Sequence, residues 1–413
     1  MSSHHTSILV VGGGISGVTA AVESAELGRE VFLVEKSPSL GGRVAGMKSY
    51  FPKMCPPFCG LEINYRRIKD NPKITVLTSA EVEKIEGVSG DFTVQLKVRP
   101  RYVKDDVCDH IGPFKDLDRV IPDGYNYGLG KKKLVQIPHE LAFPYRAAVD
   151  EAALEEPALR QALSGISQVD LTQQPKHLTL KVGSIIWATG WNPYDASKID
   201  YLKYDQYADV ITNVEMERLA APNGPTNGKL VRPSDGREAK RVGFVQCAGS
   251  RDEKHLPYCS AVCCMASLKQ ATYVLESYPD AQIWIFYIDI RANKYESFYR
   301  KLQDDPRVHF IKGKPGQVDQ DSATGDLTVV CEDVSLASVV RVPVDLVVLA
   351  TGMVPATAEQ RVPFEGLLYD DFGFLVPDPE KAAIYPSGCV KRPADVAASV
   401  QDATGTSLKA IRN

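Results

Sequence analysis

No run of about 18 consecutive apolar residues, the length a bilayer-crossing helix needs, occurs anywhere in the sequence. The expectation is therefore a chain without a membrane span of its own. Charge of one sign is also scarce. A formal net charge of −4 gives no broad pull toward nucleic acid or an anionic lipid surface, and the one compact basic run, Lys131-Lys132-Lys133, is too short to supply it. The first apolar stretch, Ile8 to Val11, runs straight into glycines without the cationic flank or cleavage site of a secretory leader. Nine cysteines, an odd and unevenly spaced set, do not form the dense, even framework of a small secreted domain. A reducing, cytoplasmic setting is expected, in which clustered cysteines serve metals or redox chemistry. What is present is ordinary globular material: 413 residues, 44% hydrophobic and 24% charged, enough for two or three domains.

Residues 7–36 read as strand, tight turn, helix and strand. A short apolar run ends at Gly12-Gly13-Gly14, helical spacing follows from Ile15 to Leu27, Gly28 stops it, and Val31 to Val34 is a second buried strand. Gly12-x-Gly14-x-x-Gly17 therefore stands between a strand and a helix, with Glu35 following Gly17 by 18 residues. Gly12 permits the turn, Gly14 lets backbone approach a pyrophosphate, and Gly17 lets helix and strand pack closely. The helix N-terminus faces the phosphates with free N–H groups, and Glu35 is placed to accept from ribose hydroxyls. An ordinary glycine-rich turn is the bland alternative, and the acid in register at the end of the second strand argues against it.

Further strands are expected over 73–88, 92–98 and 178–190, the last ending in Ala188-Thr189-Gly190, with 100–147 as an irregular insertion. A second α/β unit follows: strand 241–247, helix 258–278, strand 282–289, helix 294–302. Strand 344–352 then ends in a second Ala-Thr-Gly, and a helix within 388–411 closes the chain. This implies an α/β fold in which a Rossmann-like first domain (1–195 and 343–413) is interrupted by an inserted dinucleotide-fold-like domain (196–342), a thioredoxin-reductase-like architecture. Gly41-Gly42-Arg43 and the Thr-Gly strand ends resemble segments that line FAD in two-dinucleotide flavoproteins. The cofactor set implied is Gly12, Gly14, Ile15, Ser16, Gly17, Glu35, Lys36, Gly42, Arg43, Val82, Ala188, Thr189, Gly190, Gly388 and Cys389.

The inserted unit lacks the second glycine fingerprint that NAD(P)H would need. After its first strand stands Gln246-Cys247-Ala248-Gly249, and Cys259-x-x-x-Cys263-Cys264 opens the next helix, with 259 and 263 on one face. All four thiols can reach one centre only if the helix start is loosened. Cys247, Cys259, Cys263 and Cys264 are candidate ligands of a [4Fe–4S] cluster; a zinc ion and a set of small buried residues are the alternatives. Cys55 and Cys59 read as packing residues or as a redox pair beside the flavin. Cys108, Cys331 and Cys389 stand alone.

At these motifs the sequence resembles the flavin (A) subunit of heterodisulfide reductases: Val10 to Gly17, Leu40 to Arg43, Pro100 to Val103, Asn126 to Gly130, Gln246 to Asp252 and Tyr258 to Met265 carry the likeness. The stretch Phe51 to Asn64 is similar to the A subunit of quinone-interacting membrane-bound oxidoreductases of sulfate reducers. That resemblance implies FAD beside a [4Fe–4S] cluster. It implies docking to a second flavin/iron–sulfur subunit, with a haem-bearing membrane subunit in the same complex. It also implies electron exchange between menaquinol and adenylylsulfate reductase. Where heterodisulfide reductase relatives carry a ferredoxin-like Cys-x-x-Cys-x-x-Cys module after Pro100 to Val103, only Cys108 stands here. That cluster is expected to be missing, which closes one electron exit used by relatives and leaves open whether flavin-based bifurcation occurs. Rival readings are an NAD(P)H-dependent flavin disulfide oxidoreductase using Cys55 and Cys59, and a structural subunit that retains FAD.

Overall fold

The computed structural model describes residues 5–51, 53–105, 109, 120–377 and 383–412. The chain begins with β1 (Ile8–Val11), α1 (Ile15–Glu26), β2 (Val31–Val34), the single turn α2 (Gly42–Ala45), α3 (Phe58–Asp70), β3 (Ile74–Leu77), β4 (Ala80–Val88) and β5 (Asp91–Val98). Then come β6 (Val120–Pro122), β7 (Lys131–Lys133), β8 (Val135–Gln136), β9 (Ala148–Val149), α4 (Glu151–Glu155), α5 (Pro157–Ser164), β10 (Lys176–Val182), β11 (Ser184–Trp187) and β12 (Trp191–Pro193). The central unit holds β13 (Val210–Thr212), α6 (Asn213–Ala220), β14 (Arg241–Ala248), α7 (Cys263–Ser277), β15 (Gln282–Tyr287), α8 (Glu296–Gln303) and β16 (Val308–Lys312). It ends with β17 (Pro315–Gln320), β18 (Leu327–Asp333), β19 (Ser338–Val344) and β20 (Leu346–Thr351). The return runs through β21 (Met353–Pro355), α9 (Ala356–Glu359), β22 (Leu368–Tyr369), β23 (Leu375–Val376), β24 (Ile384–Pro386) and α10 (Val396–Ile411).

Two parallel five-stranded sheets organise these elements, in the orders β24-β11-β1-β2-β3 and β13-β20-β14-β15-β16. β1 shows why its sheet is buried on both faces. Ile8 and Val10 point into a core shared with α1, α3 and α10, whereas Leu9 and Val11 point into a core made with β4, β5 and β10. An uninterrupted apolar run is what a doubly covered parallel strand requires. The central sheet repeats the plan, with α6, α7 and α8 on one face and the antiparallel sheet β17-β18-β19 on the other. Each unit is thus a three-layer α/β/β stack. The antiparallel pair β12–β21 carries the chain across and back.

Three expectations are revised. The stretch read as one strand over 178–190 is two, because β10 joins the antiparallel sheet beside β5 and β11 joins the parallel sheet beside β1. The strand ending in Ala350-Thr351 pairs with β13 and β14, inside the central sheet. The pairing therefore moves the return crossing from 343 to the stretch after Thr351. The described part of the insertion is not wholly irregular: it forms the pairs β6–β7 and β8–β9 over its own small core of Val103, Ile121, Leu134, Val135, Ala147 and Leu163. Cys108 lies outside the described residues.

Candidate active site

Glycine geometry shapes the end of β1. Gly12 sits at φ +108, and a Cβ there would stand 2.4 Å from the Ala188 carbonyl oxygen. A Cβ on Gly17 would stand 1.7 Å from the Gly12 oxygen, so α1 reaches its place against the turn only with glycine. Gly14 differs. Its nearest neighbour would be Gly42 Cα at 4.0 Å, and it faces open space. Gly14 is also the N-cap of α1, which no side chain caps. The first N–H groups of the helix are left to serve an anion.

That space is a cavity of about 890 Å3 between the two units, near the upper end of ordinary ligand sites. Gly12, Gly14, Ile15, Ser16, Glu35, Lys36, Gly42, Arg43, Val82, Ala188, Thr189, Gly190 and Cys389 all line it. Gly17 and Gly388 instead stand behind its wall. Gly388, at φ +69, lets its loop approach Ser16, whose Oγ would lie 2.2 Å from a Cβ. Glu35 has a structural task as well: its Oε2 accepts from Gly13 N at 2.5 Å and its Oε1 from Ser37 N at 2.7 Å. Further lone pairs on the carboxylate remain for a hydroxyl donor. Arg43 lines the cavity, but its nitrogens are directed at Trp191 O (2.7 Å), Tyr127 Oη (2.7 Å) and Asn192 Oδ1 (3.0 Å). It ties α2 to the crossing strand.

The facing wall was not read from the sequence. α6 and α7 contribute Asn213, Glu217, Arg218, Lys269 and Gln270. Glu217 and Lys269 are both almost fully buried and 2.9 Å apart. Lys269 Nζ also donates to Ser49 O at 2.6 Å, and Gln270 Nε2 to Glu217 Oε1 at 2.7 Å. Lys48 N donates to Glu217 Oε2 at 3.1 Å, and the Tyr273 and Ser49 hydroxyls are 2.8 Å apart. Burial, then the Glu217 charge, pushes the Tyr273 phenol well above its ordinary range. Arg218, 1% exposed, donates to Asn126 Oδ1 and Gly46 O, each at 2.8 Å, and stacks over Tyr125. One guanidinium thus joins the insertion, the first unit and the central unit. Tyr125 in turn stacks on His139, with ring centroids 5.0 Å apart. Burial and then the Arg218 charge bring His139 down from 6.5 to about 4. The signal for α6 was available: Thr212-x-x-Glu215 is a capping box, and both of its hydrogen bonds form.

Cys247 lies on β14 at φ +55, where the pairing with β20 slips between Val245 and Ala248. Helix α7 starts at Cys263, and Ala261 is left-handed at φ +60. Cys259 therefore stands in the preceding loop, not on one helical face with Cys263, and the helix start is loosened. Cys247, Cys263 and Cys264 are buried and Cys259 is half-buried. Cys263 feels the charges of the other three. Burial raises the Cys247 thiol to about 11 and lifts Cys263 and Cys264 as well, which makes them poor nucleophiles. Ala261 N donates to Cys259 Sγ at 3.3 Å. Among the described residues, no three His, Cys, Asp or Glu side chains gather around a point that would hold a metal ion. A single zinc draws thiolates to about 2.3 Å from one centre, whereas a four-iron cluster sets each thiolate on its own iron. Four thiols carried by one strand end, one loop and one helix start, with the Ala261 N–H and the N-terminus of α7 beside them, match the ligand number and the donors such a cluster would need. Ala261, Val262, Met265 and Ala266, which flank Cys263 and Cys264 in the chain, line the cavity.

Where a nicotinamide dinucleotide would need a phosphate cradle in the central unit, Gly249 is covered by the Tyr194 ring, 2.4 Å from a built Cβ. Cys55 and Cys59 are free thiols, Cys55 half-buried and Cys59 exposed on α3; neither lines the cavity. Cys331 is buried and raised to about 11 by that burial. Cavity-lining residues also hold polar atoms with no partner within the chain, Trp187 Nε1 and Gln270 Oε1 among them.

Comparison with known proteins agrees with this geometry. Residues 7–102 match the FAD dependent oxidoreductase family model. Over 416 aligned residues, covering 97% of this chain and 63% of the relative, it is 37% identical to an iron-sulfur A subunit (numbered 2) of the CoB--CoM heterodisulfide reductase of Methanopyrus kandleri. The chain is a relative of the heterodisulfide reductase A subunit. The A subunit of the H(2):CoB-CoM heterodisulfide,ferredoxin reductase of Methanothermobacter marburgensis is 35% identical with the same coverage of both chains. The chain thus spans less than two-thirds of the length of these curated relatives. Thioredoxin reductases share the fold: that of Lactococcus lactis at TM-score 0.53 and 12% identity, covering 98% of both chains, and that of T. acidophilum at 0.53 and 15%, covering 98% of this chain and 97% of the other. The likeness to FAD dependent oxidoreductases lies in residues 7–102, which hold the glycine turn and Glu35. Among the described residues no helix is long and apolar enough to cross a membrane.

Proposed function

We propose that this heterodisulfide reductase relative is an electron-transfer subunit of a larger oxidoreductase, holding FAD in the interdomain cavity and a [4Fe–4S] cluster on Cys247, Cys259, Cys263 and Cys264. The observation that carries the reading is the shared wall: Ala261, Val262, Met265 and Ala266 line the cavity and flank Cys263 and Cys264 in the chain. FAD, when bound, supplies a centre that exchanges electrons in pairs or singly. The chain's residues do the rest. The bare backbone at Gly14 and Gly42 and the uncapped N-terminus of α1 receive the pyrophosphate, and Glu35 takes a ribose hydroxyl while fixing the turn. Lys269, Gln270 and Glu217 form a buried polar wall opposite, with fixed charges whose effect burial strengthens.

The finer reading is a member of a complex linking menaquinol to adenylylsulfate reductase, docked to a second flavin/iron–sulfur subunit, with a haem-bearing membrane subunit in the same complex. It is supported by the likeness of the segment Phe51 to Asn64. The protein would then be cytoplasmic and held at the membrane by its partners. The disulfide oxidoreductase alternative loses support from Tyr194 over Gly249 and from the placement of Cys55 and Cys59 off the cavity lining.

Anaerobically purified protein is expected to contain about four irons per chain, as the cluster type demands, and Cys263→Ala to lose the iron but keep the flavin. Iron at background level in wild-type protein with intact FAD removes the cluster. Rapid bleaching of the flavin by NADH, abolished by Cys55→Ser, supports the rival.

A further inference from the structure

The end of β14 and the loop from it to α7 carry several left-handed residues: Cys247, Gly249, Arg251 and Ala261 at φ +55, +76, +54 and +60. Three of these are not glycine, which is uncommon and costly unless the surroundings impose it. Arg251 N donates to Tyr258 O at 3.1 Å and Asp252 N to Leu256 O at 3.0 Å. Tyr194 Oη meets His255 Nδ1 at 2.8 Å, and Lys314 pairs with Asp252. This bracing fixes Arg251 in the loop between Cys247 and Cys259. Its positive charge counters part of the rise that burial imposes on the Cys247 thiol, and its Nη1 donates to Asp289 Oδ1 at 2.5 Å. The Asp289 carbonyl accepts from Cys264 Sγ at 3.7 Å. The pair therefore reaches Cys247 through the Arg251 charge and Cys264 through the Asp289 main chain. Arg251 is 23% exposed and Asp289 48%. Arg251 does not line the flavin cavity, so cofactor contact does not explain it.

We infer that Arg251 sets the reduction potential of the four-cysteine centre and that Asp289 holds Arg251 in place while offsetting part of its charge. The inference rests on the cluster reading above. Reduction adds one electron from a one-electron donor, and oxidation returns one to an acceptor; no covalent bond forms or breaks. The reduced centre is one charge more negative, so a fixed cation in electrostatic reach of Cys247 favours it over the oxidised form. Charge and hydrogen bonds at the sulfurs are the levers a protein has over such a centre. Arginine suits the task because it stays charged at any working pH and donates in two directions at once. A purely structural role for the pair would not give shifts of opposite sign when its two members are neutralised.

The test is an anaerobic redox titration of the whole chain, read by electron paramagnetic resonance of the reduced cluster, with iron content measured on each sample. Arg251→Gln is expected to lower the ratio of reduced to oxidised cluster at a given ambient potential at least tenfold, about 59 mV downward for a one-electron couple. Asp289→Asn is expected to raise it by less, because a half-exposed carboxylate is screened by solvent. Arg251→Lys keeps the charge and should stay within about threefold of wild type. Full iron with an unchanged or raised potential in Arg251→Gln overturns the inference and leaves the cluster standing. Background iron in wild-type protein overturns both. Should Arg251→Gln not retain iron, Asp289→Asn decides, and an unchanged or lowered potential there overturns the inference.

Discussion

Gly14 and Gly17 stand three positions apart and answer to different demands. Gly17 has no room for a methyl group, so Gly17→Ala is expected to destabilise the fold by about 3 kcal/mol, the upper end of ordinary overpacking, seen in urea unfolding of the flavin-free protein. Gly14 has room, and aspartate is a favoured N-cap residue. Gly14→Asp should therefore keep the flavin-free fold while its charge and bulk exclude the pyrophosphate. This difference was only partly legible. Motif spacing assigned the two roles, but the 4.0 Å and 1.7 Å clearances depend on Gly42 and the Gly12 carbonyl, which the chain brings close in space. At His139, folding holds the neutral ring, lowered from 6.5 to about 4 by burial. Stability present above pH 6.5 is accordingly lost as pH falls through 6.5 toward 4, by up to roughly 3 kcal/mol. His139→Phe retains a ring against Tyr125. It should flatten the fall in urea midpoint between pH 7.5 and 5, and an equally steep fall would discount the buried imidazole.

Among the elements, strands and helices with strong periodicity were readable and the facing wall was not. β1, α1 and β2 lie within a residue or two of their sequence limits, because apolar runs between glycines admit one assignment. α6 has eight residues, too short for periodicity to announce it, and only its capping box marks its start. Cys259 was misplaced for a related reason. Helical spacing from 258 onward ignores the left-handed turn at Ala261, which is imposed by the braced loop and not by local propensity. The α6–α7 wall carries its own prediction. Lys269→Met removes the ammonium 2.9 Å from the buried Glu217, leaving only the more distant Lys48 charge in reach, and is expected to cost about 3 kcal/mol. Adding Glu217→Gln should recover much of that loss, because a neutral amide needs no counter-charge. Urea unfolding of the single and double variants measures both, and a double variant as unstable as the single would show that the pair is not the source.

For the whole molecule, the plan of one dinucleotide fold inserted in another was visible in the order of motifs, and its seam was not. Ala350-Thr351-Gly352 looks like Ala188-Thr189-Gly190, yet β20 pairs inside the central sheet and β11 inside the first. Strand endings alone do not reveal the partners a strand hydrogen-bonds. The cavity belongs to neither unit alone, since its walls come from β1, α1 and α10 on one side and α6 and α7 on the other. Entry of FAD into this interdomain space through Gly14 is tested most directly by the flavin content of purified wild-type and Gly14→Asp proteins, measured by absorbance after denaturation. Close to one FAD per chain is expected in the first and less than about a tenth of that in a folded second, as loss of the phosphate cradle demands. FAD retained in the folded Gly14→Asp protein, or absent from the wild type, would contradict it.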